Sequence, residues 1–114
     1  MLVISDTDGF KDLIYRGNSI DHGTIIYTLS GNISTTPTRT SIQIGPNQHI
    51  EDELGQYVNH SCNPSVEIVG HNLISVKQIN DGDSITFNYN ESEDLMSNPF
   101  NCHCCNKIIG GKYY

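Results

Sequence analysis

A chain of 114 residues that contains fifteen Ile and not one Ala has little prospect of folding as a helical bundle. Ala is the strongest helix former, whereas the β-branched Ile packs best on a pleated, half-buried surface. The apolar residues come in short runs, each closed by turn formers. Thr24–Leu29 (TIIYTL) is entered from Asp21-His22-Gly23 and left through Ser30-Gly31-Asn32. Ser41–Ile44 (SIQI) alternates and breaks at Gly45-Pro46-Asn47. Val66–Val69 turns through Gly70-His71-Asn72 into Leu73–Ile79, a hairpin signal. Ser84–Tyr89 (SITFNY) alternates again after Asn80-Asp81-Gly82-Asp83. Residues 33–40, Thr-rich around Pro37, read as a loop or irregular edge, and Glu51–Val58 carries the sole helical turn or two. The expectation is one mainly β domain of several small sheets.

A formal charge of −7 opposes nucleic-acid binding and favours basic partners such as Lys-rich protein segments. No apolar run approaches the roughly 18 residues of a membrane helix. The amino end has no basic start and meets Asp6 and Asp8 at once, so it does not read as a secretory signal. The expected setting is cytoplasmic, where four cysteines point to metal sooner than to disulfides. Residues 99–114 form a cysteine-rich tail to a compact unit spanning 1–98, and a metal would order a segment with so little periodicity.

Three clusters carry the chemistry. Asn59-His60-Ser61-Cys62-Asn63-Pro64 offers donors and acceptors for a polar pocket, or equally a loop that satisfies its own backbone. Phe100-Asn101-Cys102-His103-Cys104-Cys105 offers thiolates, with Cys62 able to complete a tetrahedral Zn²⁺ set at about 2.3 Å per bond. Adjacent Cys104 and Cys105 diverge in extended backbone, which leaves His103 as a substitute ligand and free thiols as the plain alternative. Gly82–Tyr89 ends in a Tyr that either packs at a rim or points its hydroxyl into a site.

In this order the clusters resemble the C-terminal half of the SET-domain family of protein lysine methyltransferases: NHSCNP, then INDGDSITFNY, then PFNCHCC. Ser19–Ile26 is similar to an early strand of that family, and TPTRTSIQIG and YNESEDLMSNPFNCHC look like its compact bacterial members. The resemblance covers roughly residues 14 to 111. It implies a β-clip of small sheets with a C-terminal pseudoknot and a short zinc-binding tail. It implies S-adenosylmethionine as cofactor, held by Asn59, His60, Tyr57 and Phe100. Tyr89 would stand at the point of methyl transfer, Phe87 in the substrate channel, and Cys62, Cys102, Cys104 and Cys105 on zinc. The acceptor would be a lysine-bearing protein or a small amine, and so short a chain would close its site as a homodimer. The alternatives are a catalytically silent SET-like binding module with a structural zinc site and a zinc-stabilised β domain whose role is purely structural.

Three features depart from the pattern. Lys11-Asp12-Leu13 stands where the family has a Gly-x-Gly turn, with Gly9 and Gly17 off register. Fifteen positions separate Ile44 from Asn59, where larger members insert a helical segment. The spacer between the last cysteines is missing.

Overall fold

A computed structural model describes residues 1–94, 96, 99–102 and 107–111. Among these, short strands join into five small sheets. Strands β1 (Leu2–Thr7) and β2 (Phe10–Tyr15) form an antiparallel hairpin. Its turn is Asp8-Gly9, both at positive φ (53° and 84°), which matches the twist of the flanking strands. Asp6 accepts the Gly9 N–H at 3.1 Å and fixes the turn further.

The first three-stranded sheet has the order β3–β9–β8, from Ile25–Thr28, Asn72–Ser75 and Val66–Val69. The expected hairpin at Gly70-His71 is therefore present, although its second strand stops at Ser75. The second sheet has the order β4–β6–β5, from Gly31–Ser34, Gln48–Asp52 and Ile42–Gly45. Ile33 and Ser34 thus belong to a strand, and only the remainder of 33–40 is irregular. A 3-10 helix (Gly55–Tyr57) occupies part of the one segment expected to be helical.

Strands β7 (Asn59–His60) and β10 (Thr86–Phe87) pair in parallel, Thr86 opposite Asn59 and Phe87 opposite His60. The strand expected through Tyr89 ends early. Asn88 caps a single helical turn, α1 (Tyr89–Ser92), by accepting the Asn90 N–H at 3.0 Å. Strands β11 (Phe100–Asn101) and β12 (Ile108–Ile109) close the described chain. No helix among the described residues is long and apolar enough to cross a membrane.

Four of the five small sheets send one or two large side chains each to a common core. Leu13 comes from β2, Leu29 from the end of β3, Ile42 and Ile50 from the second sheet, Val66 and Leu73 from the first. Val58, Ile79, Ile85 and Phe87 complete it. No sheet is large enough to be stable alone, so the shared core holds the sheets together.

One buried polar group ties the sheets at a second point. The Asp52 carboxylate, 3% exposed, accepts from the Tyr27 hydroxyl (2.8 Å) and from the backbone N–H groups of Ser30 (2.7 Å), Leu54 (2.9 Å) and Gly55 (2.7 Å). Four donors compensate the desolvation of a buried charge. Gly55 must stay small, because a Cβ there would lie 2.8 Å from Leu29 Cδ2 and 3.1 Å from Asp52 Cβ.

Burial, the hydrogen bond to Asp52 and the nearby carboxylates push the Tyr27 phenol up to about 12. The unfolded phenol ionises from about pH 10, so the unfolded chain releases its proton first. Stability from this group is complete below pH 10 and is lost between pH 10 and about 12. Tyr27→Phe is expected to lower stability at pH 7 by about 1.5 to 3 kcal/mol, as for a hydrogen bond to a charged group. It is also expected to remove that share of the alkaline loss. Urea unfolding at pH 7 and pH 11 checks both.

Candidate functional site

The parallel ladder β7–β10 is only two residues long on each side, and it is held by Ser65. The Ser65 hydroxyl accepts the Thr86 N–H at 2.9 Å and donates to the Ser84 carbonyl at 3.1 Å, while the Ser65 N–H donates to the Thr86 carbonyl at 3.1 Å. The Ser61 N–H donates to the Phe87 carbonyl at 3.2 Å. These bonds bring residues 59–62 beside residues 86–89.

Beside the ladder lies a cavity of about 710 Å³, within the range of small-molecule sites. Asn59, His60, Phe87, Tyr89, Phe100 and Cys102 line it, so six of the expected site residues meet at one place. Tyr57 does not line it; the Lys11 ammonium lies over its ring, 5.6 Å from the centroid. Lys11, where the sequence resemblance expects a glycine, likewise stays out of the cavity wall. Cys104, Cys105 and His103 lie outside the described residues.

The aromatic rings interlock. His60 meets Tyr89 edge-on at 5.2 Å and Phe100 at 5.9 Å, Phe87 lies 4.7 Å from Tyr89, and Phe100 lies 6.0 Å from Tyr89. Such contacts favour a fixed mutual orientation. The Tyr89 hydroxyl donates to the Val58 carbonyl at 2.8 Å. Burial, then the charge of Glu93, raises its pKa well above the ordinary phenol value. At neutral pH it is therefore a proton-bearing donor, not a base.

His60 has one tautomer compatible with its neighbours. Nδ1 faces the Tyr89 N–H at 3.1 Å and must accept, so the proton sits on Nε2, which points at Cys62 Sγ at 3.4 Å. Burial lowers the His60 pKa, in keeping with a neutral ring. A ring protonated on Nε2 cannot ligate a metal through that atom. It can support a sulfur ligand from outside the coordination sphere.

Cys62 Sγ and Cys102 Sγ stand 3.9 Å apart. Two sulfurs each about 2.3 Å from a tetrahedral Zn²⁺ would be roughly 3.8 Å apart, so this pair fits one metal. Binding a metal requires both sulfurs as reduced thiolates.

Several wall residues escape a motif search. Phe10 enters from β2, just after the Asp8-Gly9 turn, and is 63% exposed. Thr38, Arg39, Thr40 and Ser41 line the cavity from the irregular segment. The Thr38 and Thr40 hydroxyls both donate to the Glu51 carboxylate, the latter at 2.7 Å, which shapes that rim. Glu93 is buried and its carboxylate accepts the Gln43 N–H at 2.6 Å. Only the alternation that points Phe10 and Lys11 to opposite faces of β2 was available as a signal for these residues.

No protein-family model matches the chain. Two curated proteins do. A region of 85 residues is 40% identical to methyltransferase flvH of Aspergillus flavus, covering 65% of this chain and 47% of that protein. A region of 72 residues is 38% identical to a histone-lysine N-methyltransferase, H3 lysine-36 specific, of Candida albicans, covering 52% of this chain and 8% of that protein. The chain thus spans about half the length of the first relative and under a tenth of the second.

Ser65→Ala leaves the Thr86 N–H without its buried partner. A loss of about 1 to 3 kcal/mol is expected, with faster amide exchange at Thr86 and Phe87. Urea unfolding and hydrogen exchange test it.

Proposed function

We propose that this chain is an S-adenosylmethionine-dependent methyltransferase of the SET type that acts on an amine, a protein lysine above all. The observation that carries the reading is the convergence of Asn59, His60, Phe87, Tyr89 and Phe100 on one cavity. The similarity to two proteins named as methyltransferases supports it, one of them specific for a histone lysine.

When bound, S-adenosylmethionine would supply a methyl carbon for in-line attack by the lone pair of an uncharged amine, the C–S bond breaking as the N–C bond forms and S-adenosylhomocysteine leaving with the sulfur electron pair. The protein's part is placement and exclusion of water, which can account for a large fraction of such a barrier. Asn59 offers a polar contact beside the rings, and Phe100 an apolar face for a base. Phe87 and Tyr89 give an apolar lining that disfavours an ammonium relative to the free amine, while the −7 charge of the chain draws in cationic segments from a distance. The protonated Tyr89 hydroxyl holds the Val58 carbonyl in place and keeps its own ring fixed at the centre of the aromatic group. Zn²⁺ would be held by Cys62 and Cys102 with Cys104 and Cys105, and would tie the tail to the cavity wall.

The silent-module alternative draws on Lys11 standing where the family has glycine. Its side chain leans on Tyr57, outside the cavity, so the substitution does not fill the space a ligand needs.

Calorimetric titration with S-adenosylmethionine and S-adenosylhomocysteine tests the reading. Micromolar binding is expected, weakened at least about tenfold (roughly 1.4 kcal/mol) by Asn59→Ala. Tyr89→Phe is expected to keep binding within a few-fold and to lose methyl transfer to lysine-bearing peptides. A well-folded protein that binds neither compound would sink the enzyme reading. For the metal, reduced protein is expected to take Zn²⁺ from a chromophoric chelator, and Cys62→Ser to fail to do so.

A further inference from the structure

Asn59 does not present its amide freely. Its Nδ2 lies 2.9 Å from the Lys11 carbonyl and 3.3 Å from Asp12 Oδ1. Two acceptors, one a backbone carbonyl and the other a carboxylate, face the same end of the amide. That end must therefore be the NH₂, and the group Asn59 has left for a ligand is its oxygen, an acceptor. Asp12 is itself held: its other oxygen accepts the Ser84 hydroxyl at 2.5 Å. Half-buried on β2 and facing the β7–β10 ladder, it links the hairpin to the strand before Thr86 and to Asn59 at once.

We propose that Asp12 is a positioning residue of the cofactor site. Together with the Lys11 carbonyl it holds the NH₂ end of Asn59 and so turns an acceptor oxygen to the cavity, and the site thereby selects a ligand with a cationic amino group there. This rests on the methyltransferase reading, in which the ligand's amino-acid end carries an ammonium. If Asp12 is lost, the Lys11 carbonyl alone remains to hold the NH₂ end, so the amide is less firmly fixed and turns more often to offer its NH₂, which repels an ammonium. Asp12→Asn keeps an oxygen for Asn59 and an NH₂ for the Ser84 oxygen, so it should restore the orientation.

The test compares two probes that share an adenosine thioether but differ in the amino acid, S-adenosylhomocysteine and 5′-methylthioadenosine. Affinities are measured by calorimetry on the full chain, with thermal unfolding as the check on folding. Asp12→Ala is expected to weaken S-adenosylhomocysteine about tenfold or more, the loss of one charge-assisted contact. Binding of 5′-methylthioadenosine should change less than about twofold, and Asp12→Asn should return both to wild-type values. Should Asp12→Ala fail to fold, Ser84→Ala, which frees the other Asp12 oxygen, is expected to show the same selectivity at smaller size. Equal weakening of both probes would mean that Asp12 merely supports the fold, and unchanged affinities would mean that Asn59 needs no support; either overturns the assignment. Wild-type protein that binds neither probe would overturn the methyltransferase reading, and the assignment with it. Wild-type binding with no selective loss overturns the assignment alone.

Discussion

The two-residue ladder between β7 and β10 is the constraint on which the rest of the site depends. It is short, parallel and formed by segments more than twenty-five residues apart, so it has little intrinsic stability. Its persistence comes from Ser65, whose hydroxyl and amide knit Ser84 and Thr86, and from Phe87, which is fixed in the common core. One strand of that ladder carries Asn59 and His60, and the other carries Phe87 and leads into Tyr89. Asp12 and the Lys11 carbonyl then orient Asn59, while the Tyr89 amide orients His60. The cavity is thus a product of pairing first and side chains second.

His60 sits where two systems meet. One ring nitrogen accepts the backbone of the candidate methyl-transfer tyrosine, and the other donates toward a sulfur of the cysteine pair. The placement of the Cys62–Cys102 pair and that of Tyr89 are therefore coupled through a single neutral imidazole. Phe100, from β11, adds a second link by packing against both His60 and Tyr89. Residues 100–102 are in this way tied to the place where, among the described residues, the rings gather.

Much of the fold was legible because Ile runs and turn residues carry local information. The Val66–Val69 hairpin, the strand at 42–45 and the helical turn near 55–57 all follow from period and punctuation. The hairpin β1–β2 was not among the expected strands, although Asp8-Gly9 between apolar residues is the short-range signal for it. Tyr89 leaves the expected strand because the Asn88 side chain competes for the backbone, which alternation does not reveal. The grouping of Asn59, His60, Phe87, Tyr89, Phe100 and Cys102 was legible only through motif order, since no local rule joins residues 59 and 87. Tyr57 differs because a 3-10 turn points it toward Lys11. Phe10, the Thr38–Ser41 rim and Asp12 depend on tertiary contacts that no spacing encodes.

The rim formed by Thr38 and Thr40 hangs on one exposed-face carboxylate, Glu51, whereas its neighbours Ile50 and Asp52 are committed to the interior. Substitutions within that rim leave the Asp52 bonds and the common core untouched. Mutational drift is therefore partitioned within this small protein. The wall nearest the entrance is free to diversify among descendants, while the ladder and its serine are held to one solution by folding itself.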